Sequence, residues 1–391
     1  MELIAPTNWD NQLIASYKSL GIKEAYGKMA IDFIGGGRPA YILPYVNRRQ
    51  VATHIKMLHA AGIKFNYILN SPCLNSEEFT RTGRANIYSL LRWLTEIGVD
   101  KVTITIPYLL QLIKDKYPKL EICISVFAGI DSIEKALFWQ DIGADEITLL
   151  QTIVNRNFSL LKQIRKHTTC RLKLIGNTSC LYNCPLIGYH ALSNAHASQS
   201  KYSHRAGLSI DYCSIFCKYL RLSEPAKFIS SSWIRPEDLH FYEEIGIDGI
   251  KLVDRRCSTE QLIKIAVSYS KRHFEGNLFE LLPLFYGRPP QSAQKNLLLK
   301  LKYFFHPLES NMLAIAKLDF LMRDLKIYID NRKLDGFIKK FIEQDCTFQG
   351  CAECGYCERI AKEVIVYDKD YLEKLKSIYK EFLSNLAKGK I

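Results

Sequence analysis

The sequence predicts an α/β fold: a TIM-like (β/α)8 barrel, complete or distorted, followed by a smaller, mainly helical C-terminal domain that carries a cysteine cluster. Three observations predict it. Short apolar, β-branched runs recur eight times with amphipathic segments between them. Several of those segments end on a glycine that feeds the next run, as a helix C-cap does before a strand. The alternation then stops at Tyr286-Gly287-Arg288-Pro289-Pro290-Gln291-Ser292, a Pro/Gly linker beyond which helical patterns dominate. The expected division is residues 1–285 for the barrel and 286–391 for the second domain.

Taken in order, the strands are expected at Glu2–Ala5, Glu24–Gly27, Phe65–Leu69, Lys101–Thr105, Glu121–Val126, Glu146–Leu150, Arg171–Ile175 and Gly249–Val253. Amphipathic helices fall at Val51–Ala61, Ile87–Ile97, Tyr108–Lys114, Ser132–Ile142 and Phe158–His167. The capping glycines are Gly21, Gly62, Gly98, Gly143 and Gly246. Ala226–Ser232 reads as a strand-like insertion, and Arg235-Pro236-Glu237-Asp238-Leu239 as a helix start, with proline first and two acids in the opening turn. Residues 258–274 close the barrel, and Ala293–Phe304 and Asp370–Leu386 are helices of the tail. No GxGxxG or GxxxxGK[ST] follows any strand, and Gly35-Gly36-Gly37 reads as a flexible turn. A doubly wound open sheet is the alternative fold.

A hydrophobic fraction of 48% and a charged fraction of 24% belong to an ordinary globular protein. The net charge of +13 is dispersed, so it permits nucleic-acid binding without indicating it. The opening MELIAPTNWD has no basic n-region followed by an apolar core, so no export signal is expected. No apolar run approaches the ~20 residues needed to cross a bilayer. A cytoplasmic, non-membrane protein is expected, and its 12 cysteines are then reduced thiols rather than disulfides.

Eight of those cysteines form two groups. Cys180/Cys184 and Cys213/Cys217 are CX3C pairs that enclose a segment carrying His190, His196 and His204. On a helix, such spacing puts both thiols on one face. The segment follows the seventh strand, so it lies on the barrel face where chemistry collects. The working reading is an iron–sulfur cluster held by these four thiolates; the bland reading is two pairs of buried cysteines. The second group, Cys346, Cys351, Cys354 and Cys357, has CX4CX2CX2C spacing, closer to ferredoxin-like ligation than to paired zinc knuckles. Iron–sulfur, zinc and a Cys354/Cys357 redox dithiol all remain open for it. Of the scattered cysteines, Cys73, Cys123, Cys170 and Cys257, Cys123 alternates within a strand and reads as a buried small hydrophobe. Lys251 and Arg255, at the end of the last strand, are fixed cations for an anionic substrate or members of an ion pair with Asp254 or Glu237. No nucleophile elbow or HExxH is present.

Three signatures occur in order that resemble the collagenase-like peptidase U32 family. Glu2-Leu3-Ile4-Ala5-Pro6 is similar to its ELLAPAG opening, and Arg235–Leu239 to its SPRDL segment. Lys251-Leu252-Val253-Asp254-Arg255 resembles its KIEGR strand, matching at Lys251 and Arg255. The resemblance spans roughly residues 1–275 and implies a TIM-like barrel. Family members include proteins of oxygen-independent hydroxylation of ubiquinone precursors and of tRNA and rRNA bases, besides collagen-degrading ones. In the quinone proteins four cysteines hold a 4Fe–4S cluster, which implies that role for Cys180, Cys184, Cys213 and Cys217. In the RNA-modifying members the resemblance implies prephenate as the oxygen source. The chain departs from the family in its cysteine spacing and in Val253, which replaces the acid of KIEGR while Asp254 supplies one. A C-terminal β-domain is not recognisable, and the second cysteine group stands in its place. A divergent branch is implied.

The expected function is an iron–sulfur-dependent enzyme of oxygen-independent hydroxylation or related redox modification, acting on a small molecule or RNA. One or two 4Fe–4S clusters serve it, with zinc the alternative at Cys346–Cys357. Its catalytic pocket is bordered by His190, His196, Lys251 and Arg255, and an electron-donor protein or a U32 paralogue is the expected partner. The alternatives are a non-catalytic iron–sulfur or RNA-binding partner protein and a collagenase-like peptidase.

Overall fold

A computed structural model describes residues 1–205, 210–283, 326–346 and 350–390. The expected linker at 286–292 and the helix at Ala293–Phe304 lie outside these residues. Each expected strand forms: β1 Glu2–Pro6, β2 Glu24–Gly27, β3 Lys64–Leu69, β4 Lys101–Ile104, β5 Glu121–Ile124, β6 Glu146–Thr148, β7 Arg171–Ile175 and β8 Gly249–Lys251. All neighbours pair in parallel, and β1 closes on β8 with Ile4 opposite Lys251, so the sheet is a complete eight-stranded barrel. The runs read as continuous apolar stretches because strands of such a barrel are buried on both faces. Helices such as Arg48–Ala60, Arg81–Glu96, Pro107–Lys116, Ile133–Asp141 and Phe158–His167 return the chain between strands. The five capping glycines all sit at positive φ, from 71° to 105°, where a side chain is strained.

Polar side chains enter the interior at one layer. Glu24, Lys101 and Glu146 come from the alternate strands β2, β4 and β6. β8 places Gly249 at the fourth position, and Lys173 of β7 fills the space it leaves. Lys101 Nζ bridges Glu24 at 2.7 Å and Glu146 at 3.0 Å, and Lys173 Nζ bridges the same two acids at 3.1 and 2.6 Å. Two acids and two lysines neutralise one another inside the barrel. Burial works to raise Glu24, but Lys173 and Lys101 overcome it and hold its carboxyl at about 2.

Three local expectations need correction. The stretch expected as a strand at Ala226–Ser232 is a short helix, Ala226–Ile229. Pro225 starts it, the neighbours Phe228 and Ile229 are both buried, and Ser231 Oγ bonds back to the Lys227 carbonyl at 2.7 Å. Gly35–Gly37 is clamped rather than flexible. Its three amides bond in turn to Asp32, to Ser198 at 2.8 Å and to Asn70 at 3.0 Å, and a Cβ on Gly37 would stand 2.5 Å from Phe127. Cys180 and Cys184 lie in a turn, while Cys213 and Cys217 do share a helix, Tyr212–Ser223.

The described tail is helical, with two antiparallel strands, β9 Ile327–Ile329 and β10 Ile365–Tyr367. It packs on the insertion that follows β7. Helix Lys369–Ala387 lies on Tyr212–Ser223, and Tyr356–Val364 lies on Ala226–Ile229. Phe337, Phe341, Val364 and Tyr379 share one apolar core with Phe228, Ile229 and Trp233. Arg235 ties the two parts through Asn331 at 3.0 Å and Asp335 at 2.6 Å. Among the described residues, no helix is long and apolar enough to cross a membrane.

Candidate active site and cysteine groups

A cavity of about 180 Å³ opens at the C-terminal ends of the strands. Tyr26, Ile68, Thr148, Ile175 and Lys251 contribute from the strands, and Arg38, Asn70, Ser125, Gln151 and Arg255 from the segments that follow them. The insertion after β7 supplies one wall, and all four of Cys180, Cys184, Cys213 and Cys217 line it. The sequence-expected quartet is thus gathered on one space.

Arg221 joins its two halves. It comes one turn after Cys217 and donates to that thiol at 3.2 Å, while its other arm bonds the Ser179 carbonyl beside Cys180. On the far side, Gln151 Nε2 donates to Cys180 Sγ at 3.4 Å. Burial pushes the Cys213 thiol up to about 12, and Asp211, Cys184 and Cys217 add to the push. Neighbouring thiols are gathered as thiolates most readily around a positive centre. This donor set, with a buried guanidinium between its halves, fits an iron–sulfur cluster. Among the described residues, no three His, Cys, Asp or Glu side chains are gathered tightly enough to hold a single metal ion.

The opposite wall is cationic. Asp254 is gripped by Arg256 at 2.8 Å and Arg38 at 3.1 Å. Burial would raise its carboxyl, but these arginines hold it well below the usual range. Arg255 is therefore not the partner of Asp254. It is 6% exposed, and its buried Nη1 has no hydrogen-bond partner. Lys251 Nζ stands 4.1 Å from the centre of the Tyr26 ring, and burial lowers its ammonium to about 8. A buried guanidinium left unpaired is costly unless a ligand completes it, so this wall suits an anion.

His190 lines the same cavity, with Nε2 3.1 Å from Asp211, which also caps the Cys213/Cys217 helix through Ser214 N at 2.9 Å. His196 does not join it. Its ring stacks on Tyr202 at 5.1 Å, with a buried Nε2 that has no hydrogen-bond partner. The side chain of His204 lies outside the described residues. The residues that sequence reasoning missed are Arg38, Arg221, Arg256, Asp211, Gln151 and Asn194. Gln151 and Asn194 line the cavity with buried side-chain oxygens that lack partners.

Cys346, Cys351, Cys354 and Cys357 also meet, around a smaller cavity of about 30 Å³ on the tail. Cys123 is buried, 1% exposed.

A parallel barrel whose thiol-lined cavity faces a cationic strand end defines the class. Residues 45–180 match the profile described as Peptidase family U32. An uncharacterized protease of Methanocaldococcus jannaschii is 28% identical over 334 residues, covering 85% of this chain and 86% of that protein. The tRNA hydroxylation protein P of Escherichia coli K12 is 27% identical over 172 residues, 42% of this chain; the match spans 33% of that longer protein. The solved structure of a U32 peptidase aligns with a TM-score of 0.49 at 18% identity, covering 65% of this chain and 93% of that one.

Proposed function

We propose that the protein is an iron–sulfur-dependent enzyme that carries out oxygen-independent hydroxylation, or a related redox modification, of a small molecule or an RNA base. The observation that supports this reading best is the shared cavity. Four thiols line it on one side, and the unpaired Arg255 with Lys251 lines it on the other. Cys180, Cys184, Cys213 and Cys217 would hold the cluster, which supplies one-electron chemistry when bound. Arg255 and Lys251 hold an anionic group of a co-substrate, the place for a carboxylate-bearing oxygen donor. His190, oriented by Asp211, holds or moves a proton at Nδ1 or Nε2 beside it. The free oxygens of Gln151 and Asn194 accept hydrogen bonds from the group being modified. The relative named for tRNA hydroxylation supports the reaction class.

The test compares nucleosides and quinone precursors from anaerobically grown cells with and without the gene by mass spectrometry. Species lacking one oxygen should accumulate without the gene and in cells carrying Arg255→Ala. Purified protein that is colourless and holds only zinc, with no missing oxygen in either pool, would sink the reading. A non-catalytic binding module would instead retain RNA with steep salt dependence and leave no modified product. Peptide hydrolysis is a second reading, favoured by the His190–Asp211 pair, which is a general-base arrangement. Gelatin cleavage that survives metal removal and is lost in His190→Asn would support it.

A further inference from the structure

The second cysteine group has surroundings that the barrel reading does not use. Arg156, 3% exposed, lies under aromatic rings, with its guanidinium carbon 4.5 Å from the Trp233 ring centre and 4.9 Å from that of Phe337. One arm bonds the Ile229 carbonyl at 2.7 Å, while Nε and Nη2 are buried with no partner. A second cation, Lys340, donates to Cys354 Sγ at 3.1 Å. Lys340 on one thiol and the unsatisfied Arg156 behind Phe341 suit an anionic guest, and a thiolate-ligated iron–sulfur cluster carries net negative charge.

One short segment after β6 links the group to the barrel quartet: Gln151 bonds Cys180, and five residues later Arg156 stands 5.2 Å from the ring centre of Phe341, which lines the tail cavity.

We propose that Cys346, Cys351, Cys354 and Cys357 hold a second iron–sulfur cluster, seated beside the barrel cluster across the segment Gln151–Arg156. Its adjacency rests on the reading of the barrel quartet as a cluster site; its own ligation does not. Cys351 is exposed, so this site is the one open to a reduced one-electron donor. Each electron accepted lowers the cluster charge by one and passes to its neighbour, with no bond or proton exchanged.

The test uses the full chain, reconstituted anaerobically with iron and sulfide. It should take up about eight of each, as two 4Fe–4S clusters require. Cys351→Ala/Cys354→Ala and Cys180→Ala/Cys184→Ala should each keep half, with unchanged far-ultraviolet circular dichroism. After dithionite reduction, the wild type should show a paramagnetic resonance signal broadened by spin coupling, and each variant a simple isolated one. If half the expected iron binds and Cys351→Ala/Cys354→Ala keeps it all, this proposal falls and the barrel reading stands. If that half is lost only in the Cys351 variant, the second site stands and the barrel assignment falls. Zinc in the tail site overturns the proposal, and two full clusters with uncoupled signals overturn the adjacency.

Discussion

Arg255 shows what a single side chain costs when function places it. Its guanidinium is buried at the end of β8 without a partner for Nη1, an arrangement that stability alone does not favour. Arg255→Met should therefore abolish anion binding while leaving the fold as stable or more so, by about 1 kcal/mol; a clear drop in melting temperature would count against this. Lys251 is the neighbouring cation, brought by burial to about 8. It is charged below that pH and loses its charge as pH rises through it. Binding of a dicarboxylate such as malonate, followed by calorimetry, should weaken above about pH 8, and Lys251→Arg should flatten the profile. Both residues were legible in the sequence, because a strand end in a barrel faces the site. Arg38 and Asp211 were not. Arg38 reaches Asp254 from 216 residues away, and no local pattern announces such a meeting.

At the scale of elements, the eight strands were legible because burial on both faces writes each as a short apolar run. What their sequences do not show is stagger, and stagger decides which charges meet inside. Glu24, Lys101, Glu146 and Lys173 look like isolated strand charges until the barrel closes them into one network. Its pH dependence follows from Glu24, whose carboxyl is held at about 2 against an ordinary 4.5. The stability it contributes is fully present above about pH 4.5 and is lost as pH falls toward 2. Acid unfolding monitored by circular dichroism should show this loss. Glu24→Gln should lose about 3–5 kcal/mol near neutrality, since it leaves buried lysines short of a counter-charge, and should be less sensitive to acid in this range. The misread segment at Ala226–Ser232 has a related cause. Two adjacent apolar residues between small polar ones fit either period, and only the packing of Tyr356–Val364 against it settles the matter.

For the whole molecule, the break at 286–292 suggested two units, yet the described tail shares its core with the insertion that follows β7. Trp233 marks the junction, 5.4 Å from Phe337 between ring centres. We expect denaturant to unfold barrel and tail in one cooperative transition, with Trp233 fluorescence and far-ultraviolet circular dichroism changing together. Two separated transitions would show that the tail folds as a unit of its own. That Gln151 bonds Cys180 while Arg156, five residues on, lies over Phe341 of the tail cavity was beyond the sequence. It depends on how the tail returns to the barrel, which spacing within either group does not encode.

Arg221 carries a consequence for how such a protein is made. By bonding both Ser179 and Cys217, it ties the segment before Cys180 to the helix of Cys213 and Cys217 through protein contacts alone. If these thiols hold a cluster, as proposed, its loading would meet two halves already tied together, unlike a zinc finger, which has no shape until its ion arrives. Under that reading, cluster loading would be a late, reversible step on a folded protein. Material bleached by air should keep its compact form, wait in that state, and be refilled.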